Sequence, residues 1–200
     1  MEIILATWNK TKVEWLSKGF SPIGLKIRSI DKNEINDVEE NGITSIENAL
    51  IKVRAVGART NTIIIGEDSI LSVDALEGFP GVKTVRWAKG TDDDRSLKLL
   101  EKMKNIPENE RGAKFQSAIA LLLPTGIEET FIGELHGIIS KNISGEKGKG
   151  YQRIFLLPNG KTLSQSDSSL VKSGDHRDKS IKLASLKIQE WLRENLNDDK

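Results

Sequence analysis

A chain of 200 residues that is 37% hydrophobic and 30% charged is long enough to bury one core, in one or two lobes, and too short for a second independent domain. Thirty Lys and Arg against 29 Asp and Glu give a net charge of +1, so nothing general points to a nucleic-acid duplex or an anionic membrane as partner, and any anion site has to be local. The chain has no cysteine, which excludes disulfides, thiolate zinc sites and a Cys nucleophile; its two histidines, His136 and His176, are too few for most zinc enzymes.

The chain opens directly on a strand-like Glu2 to Ala6 with no basic leader, and no later segment approaches the ~20 apolar residues of a membrane span. A cytoplasmic protein is expected. Ile3 to Ala6 reads as a short strand closed by Thr7, Trp8 and Asn9, and Lys10 to Phe20 carries Val13, Leu16 and Phe20 at helical spacing. A second strand over Lys26 to Ile30 leads into a polar surface loop, Asp31 to Gly42. Thr44 with Glu47 three residues on is a capping-box signature, and Ile46, Ala49, Leu50, Val53 and Gly57 then mark one helical face. Thr62 to Gly66 is an apolar run of the kind buried on both sides, and its expected end places Glu67, Asp68 and Ser69 at the carboxyl end of the strand.

Gly78 to Gly81 reads as a turn, and Asp92 to Lys104 as a helix whose acidic first turn suits its dipole. Phe115 to Leu123 and Glu129 to Ile139 predict two strands paired across Pro124 to Gly126. A glycine-rich stretch, Ser144 to Gly150, precedes a short strand over Tyr151 to Leu157. From Arg177 onward, Ile181, Ala184, Ile188, Trp191 and Leu192 predict a long amphipathic helix. The element pattern is α/β (α+β), with an inserted hairpin.

Several groups at element ends could carry chemistry. Thr7, Trp8, Asn9, Lys10, Thr11 and Lys12 are either an ordinary polar helix start or a polyphosphate cradle of backbone N–H groups and lysines. Glu39–Glu40 and Glu67–Asp68 are acidic pairs from separate elements, the hard oxygen donors that a hydrated Mg²⁺ uses; Glu40 alone reads as a solvated acid. Asp68 stands out because a carboxylate closing an apolar strand is costly to desolvate unless it is paired or metal-bound. Lys52, four residues after Asn48, lies beside the apolar stripe and either overhangs a cleft or snorkels to solvent. Gly145, Gly148 and Gly150 around Lys147 and Lys149 permit close backbone approach or a plain turn, and His176–Arg177 either contacts a ligand or belongs to a capping segment. Gly160–Lys161–Thr162 imitates the end of a P-loop, but the earlier glycine falls at Phe155, which excludes that motif.

Taken in order, Ala6 to Lys12, Glu40–Asn41–Gly42, Glu47–Asn48–Ala49 with Lys52, Asp68–Ser69, Gly78 to Gly81, Arg86, Gly148 to Phe155, Lys172 and His176–Arg177 resemble the inosine triphosphate pyrophosphatase family over nearly the whole chain. The resemblance implies one domain spanning residues 1–200, an elongated mixed sheet flanked by helices in two lobes with a central cleft, and a homodimer. It also implies Mg²⁺-dependent hydrolysis, with Mn²⁺ as a substitute, of nucleoside triphosphates such as ITP, dITP and XTP to monophosphate and pyrophosphate. By that comparison Thr7 to Lys12 and Lys52 hold the triphosphate, and Glu40 and Asp68 bind the metal. Asp68 and Lys52 are the catalytic pair, Asp68 activates the water, and Ser69 lies beside them. Lys149, Gly150, Tyr151, Gln152, Lys172, His176 and Arg177 surround base and sugar.

The departures cluster on the base side. Lys149 stands where the family usually has an aromatic residue, Gln152 where it has aspartate, Arg153 where it has proline and Asp175 where it has serine. Glu67 and Ile70 replace an aspartate and a glycine, and Trp15 takes a place commonly held by glutamate. This pattern implies retained triphosphate cleavage with weakened or redirected base selectivity, because Gln152 both donates and accepts where aspartate only accepts. The competing readings are a nucleotide-binding paralogue without turnover, and a nucleic-acid-binding module, which balanced charge and 5% aromatic content disfavour.

Overall fold

The computed structural model describes residues 1–35, 38–146, 148, 150–166 and 175–196. Its elements are β1 (Glu2–Leu5), α1 (Lys10–Phe20), β2 (Lys26–Ser29), α2 (Ser45–Val56), β3 (Thr62–Val73), β4 (Pro80–Gly81), α3 (Asp92–Lys102), β5 (Gly112–Leu122), β6 (Glu128–Ile139), β7 (Phe155–Leu156) and α4 (His176–Leu196). The strands follow the order β2-β1-β3-β5-β6-β7, with β4 on β3. The chain forms two compact units: Met1 to Asp68 with Ser117 to Gly133 and the chain from Arg177 onward, and Ser69 to Gln116 with Glu134 to His176. Strands β3, β5 and β6 contribute residues to both.

The first unit follows from period-two alternation in strands covered on both sides. β1 lies parallel to β2 and β3, with Leu5 opposite Ser29 and Ile65. Ile3, Leu5, Ile63, Ile65, Ile119, Leu121 and Leu123 share one face with Leu16 and Phe20 of α1 and Ile181, Ala184, Ile188 and Trp191 of α4. The intervening residues Ile4, Ile64, Ala118, Ala120 and Leu122 face Ala49, Val53 and Val56 of α2. Each fully buried Ile or Leu contributes about 1.5 to 3 kcal/mol, so a one-residue slip in any of these strands would forfeit several. α2 carries the anticipated capping box, Thr44 with Glu47, and ends at Gly57, whose φ of 71° favours glycine; Gly57 is therefore a cap and not part of the helical face.

In the second unit, β4 pairs antiparallel with the end of β3, Leu71 opposite Gly81, and Thr84 Oγ1 accepts from Leu71 N at 2.9 Å. α3 starts from a second capping box, Thr91 with Asp94. Leu71, Val73, Leu99, Met103, Phe115, Ile139 and Phe155 form its core. Arg111 is 2% exposed and is satisfied by main-chain carbonyls: its guanidinium donates to Met103 at 2.7 Å, Ile139 at 2.6 Å and Ser140 at 2.8 Å.

Pro80 and Gly81, expected within a turn, pair with β3 as β4, and two strand expectations need a larger correction. The strand predicted to stop at Gly66 continues to Val73, because its acids are met by partners at mid-strand and the chain has no need to leave the sheet. The strand predicted over Tyr151 to Leu157 is a tight turn, Gly150–Arg153, followed by only two strand residues. Asp93 causes this, accepting from Gly150 N and from the Arg153 guanidinium, each at 2.7 Å. Smaller shifts are the ends of α3 at Lys102 and of β2 at Ser29, and the starts of β5 at Gly112 and of α4 at His176.

Candidate active site

β1 ends where Ala6 N donates to Ile65 O at 2.8 Å. The chain then turns, and Asn9 caps α1, its Oδ1 accepting from Thr11 N at 3.0 Å and Lys12 N at 3.3 Å, while Thr7 Oγ1 accepts from Asn9 N at 3.2 Å. The first turn of α1 contains no acid, so its positive end is unopposed from within the helix. Lys10 and Thr11 are exposed; Lys12 is half-buried and points its ammonium at β3.

α2 supplies the second cation. Gly66 lets α2 approach β3, since a Cβ there would sit 2.5 Å from the Ala49 carbonyl and 3.2 Å from Lys52 Cβ. Asn48 Oδ1 accepts from Gly42 N at 2.9 Å, which ties the loop bearing Glu40 to the helix. Lys52 is 8% exposed, a buried ammonium and not a snorkelling one. Its Nζ lies 2.9 Å from the Glu67 carbonyl, 3.1 Å from Glu40 Oε1 and 3.5 Å from Asp68 Oδ1. Lys12 Nζ converges from α1, 2.8 Å from Glu67 Oε2 and 3.9 Å from Asp68 Oδ1. Asn48 Nδ2 reaches Asp68 Oδ2 at 3.5 Å.

Burial holds the Asp68 carboxyl above its ordinary value; Lys52 and Lys12 pull it down, while Glu67 and Glu40 push it up. Burial acts to lower the pKa of Lys12, but Glu67, Asp68 and Glu40 together outweigh it and keep the ammonium protonated. Beside this cluster lies a cavity of about 180 Å³. Thr7, Asn9, Glu40 and Lys52 give it a polar wall, and Trp8, Ile30, Ile35 and Val38 an apolar one.

Thr7, Trp8, Asn9, Lys12, Glu40, Lys52 and Asp68 are thus brought together within the first unit, and Ser69 follows directly along β3. In the second unit Gly150, Tyr151 and Gln152 lie in the turn held by Asp93, and the Tyr151 hydroxyl accepts from Trp87 Nε1 at 2.6 Å and donates to Thr84 O at 3.0 Å. His176 is 3% exposed and stacked on Phe115 with ring centroids 5.2 Å apart; its Nδ1 contacts the Asp175 carboxylate. Arg177, the second residue of α4, holds its guanidinium over the Trp15 ring, 5.5 Å from the centroid. Lys149 and Lys172 lie outside the described residues. Sequence reasoning did not single out Ser117 and Ser180, both fully buried. Ser117 Oγ donates to Glu67 Oε1 at 3.1 Å.

Among the described residues no three His, Asp or Glu side chains form a ligand group, so a cation here would draw on the two carboxylates of Glu40 and Asp68. That donor set fits Mg²⁺, which keeps most of its waters and takes one or two carboxylates plus phosphate oxygens.

The fold and the cluster define a mixed α/β protein whose sheet presents buried carboxylates to lysines from two helices. A family model described as Ham1 family matches residues 3–186, and the chain belongs to that family. It is 40% identical over 192 residues to a "Non-canonical purine NTP pyrophosphatase homolog" from Halalkalibacterium halodurans, covering 96% of this chain and 97% of that one. It is 38% identical to a "dITP/XTP pyrophosphatase" from Symbiobacterium thermophilum, covering 90% of each chain. The structure of a HAM1 protein from Coxiella burnetii matches with a TM-score of 0.83 at 30% identity, covering 95% of this chain and 99% of that one.

Proposed function

We propose that this chain hydrolyses nucleoside triphosphates bearing non-standard purines to the monophosphate and pyrophosphate. The observation that carries this reading is the convergence of Lys12 and Lys52, from two different helices, on one oxygen of the buried Asp68 beside a polar-walled cavity. Two relatives named for this class of hydrolysis, aligned over nine-tenths or more of the chain, support turnover over a binding-only role.

In this reading the Asn9-capped turn and the lysines take the polyphosphate, whose charge suits a helix start and two ammonium groups. Glu40 and Asp68 would hold Mg²⁺, which supplies charge neutralisation at the phosphoanhydride when bound. Asp68 takes the proton of the attacking water as the bond between α- and β-phosphates breaks and pyrophosphate leaves. Base preference is assigned to Gly150, Tyr151, Gln152, His176 and Arg177, with the replacements at Gln152 and Arg153 redirecting it. From the family resemblance the reading extends to a cytoplasmic homodimer in which the whole chain serves as one domain.

Pyrophosphate release from ITP, dITP, XTP, dUTP, GTP and ATP with Mg²⁺ tests the proposal. Hydrolysis of at least one of ITP, dITP and XTP that falls sharply in Asp68→Asn is expected; no release from any of these three would overturn it. A preference of a hundredfold or more for ITP and XTP would remove the redirected selectivity alone.

A further inference from the structure

Glu67 is 1% exposed, and the reaction just described does not use it. Burying a carboxylate this completely is costly unless it is paired, and here it is. Oε2 lies 2.8 Å from Lys12 Nζ and Oε1 accepts from Ser117 Oγ at 3.1 Å. The Ser180 hydroxyl of α4 is 3.1 Å from Ser117 Oγ and 3.0 Å from the Arg177 carbonyl, its single proton serving one of them at a time. Ser117 and Ser180 are both fully buried, so this corner is fixed by packing as well as by hydrogen bonds.

The arrangement matters because two ammonium groups compete for Asp68 Oδ1, Lys52 at 3.5 Å and Lys12 at 3.9 Å. Both also touch the Glu67 main-chain carbonyl, at 2.9 Å and 3.3 Å. What separates them is the side chain of Glu67, which takes the shorter contact with Lys12. Without that charge, the nearest carboxylate available to the Lys12 ammonium is Asp68, the oxygen donor that a divalent ion needs.

We propose that Glu67 is a positioning residue that draws Lys12 off Asp68, leaving Asp68 open to a divalent cation, and that Ser117 fixes the Glu67 carboxylate for this task. The proposal rests on the assignment of Glu40 and Asp68 as the ion-holding pair, and its test separates the two. Mn²⁺ alone, without nucleotide, is titrated into the full-length protein and free Mn²⁺ is read by electron paramagnetic resonance. Glu67→Gln should weaken Mn²⁺ binding at least fivefold. The double variant Glu67→Gln with Lys12→Met, which removes both members of the buried pair, should return to within twofold of the wild type. A crystal structure of Glu67→Gln should show Lys12 Nζ moved onto the Asp68 carboxylate.

Wild-type affinity in Glu67→Gln, or Lys12 unmoved in its structure, overturns the proposal. So does a double variant as weak as the single one, because Glu67 would then act as an ion ligand or a structural prop. Should Glu67→Gln fail to fold, the double variant still decides: affinity like the wild type supports the proposal and weak affinity sinks it. If the wild type itself binds no Mn²⁺, the assignment of Glu40 and Asp68 falls as well.

Discussion

Replacing Lys52 with Met keeps the length of the side chain but removes a cation shared by Glu40, Asp68 and the Glu67 carbonyl. Removing one partner of a buried pair costs about 3 to 5 kcal/mol. The Lys52 and Asp68 side chains are 10% and 11% exposed, which places them in that regime. Lys12 remains 3.9 Å from Asp68 and Asp68 can take up a proton, so the lower end, about 3 kcal/mol at pH 8, is expected. In a chain of this size that is a fall of about 6 to 12 °C in the unfolding midpoint.

The pH dependence follows from Asp68. Its folded-state pKa is raised by burial above 3.8, so its contribution to stability is fully present below the unfolded pKa and is lost as pH rises through the folded one. Without the lowering pull of Lys52 the folded value climbs further, and the loss extends to higher pH. The deficit of the variant is therefore smallest in acid and largest at pH 8. Urea unfolding of the metal-free proteins in EDTA at pH 5 and pH 8 measures it. A deficit equal at the two pH values, or below about 0.5 kcal/mol as for an ordinary surface substitution, would refute the reasoning.

Asp68→Asn should lower kcat by about 10²-fold or more if Asp68 takes the proton of the attacking water, and pyrophosphate release reads this directly. Gly66→Ala drives a methyl group to 2.5 Å from the Ala49 carbonyl, so urea unfolding should show a loss of about 1 to 3 kcal/mol; an unchanged midpoint would mean that α2 shifts freely. Glu34 is held at about 2, first by Arg28, then by the Asp31 N–H and Arg59. A lowered acid stabilises the fold above its unfolded pKa and loses that contribution as pH falls through its folded value. Glu34→Gln should therefore be less stable than the wild type above pH 4.5, and their acid-unfolding curves should converge toward pH 2. Asp93→Ala removes the bonds to Gly150 N and Arg153, on a side chain 40% exposed. Once solvent screening is allowed for, about 1 kcal/mol of stability should go, and the substrate panel should shift in base preference while Mn²⁺ affinity stays.

What could be read from the sequence was whatever writes a local pattern. The bounds of α1, the cap of α2 and the two-sided burial of Ile63 to Ile65 all follow from periodicity or from a capping pair three residues apart. The true length of β3 does not, because an apolar run followed by two acids looks like a strand end. Lys12, 55 residues before Glu67 in sequence, and Lys52 meet these acids from outside the strand and let it continue. Lys52 gave the same ambiguity, since a lysine beside an apolar stripe looks alike whether it snorkels or is buried against carboxylates. Ser117 and Ser180 gave no signal at all: a small hydroxyl is compatible with a strand or helix core, and its partner is 63 residues away. The run of the turn from Gly150 through Arg153 leaves no local pattern, because the residue that sets it, Asp93, reads as one of three acids favouring a helix dipole.

The charges of the cluster bear on what it receives. Among the described residues, three carboxylates, Glu40, Glu67 and Asp68, face two ammonium groups, Lys12 and Lys52, a balance of one negative charge when all five are ionised. A bare polyphosphate approaching Asp68 would meet that excess in a poorly solvated site where it is weakly screened. A divalent cation reverses the sign and turns the same site into one that attracts phosphate oxygens. Under the proposed function, the cluster is therefore matched to a nucleotide that arrives with its metal, or after it, and not to the free anion. Nucleotide affinity measured without divalent ion should fall steeply in the wild type and recover in part when Glu40 is replaced by Gln, because that substitution removes the excess charge without touching Lys12 or Asp68. Equal weakness in both proteins would show that electrostatic balance does not set the order.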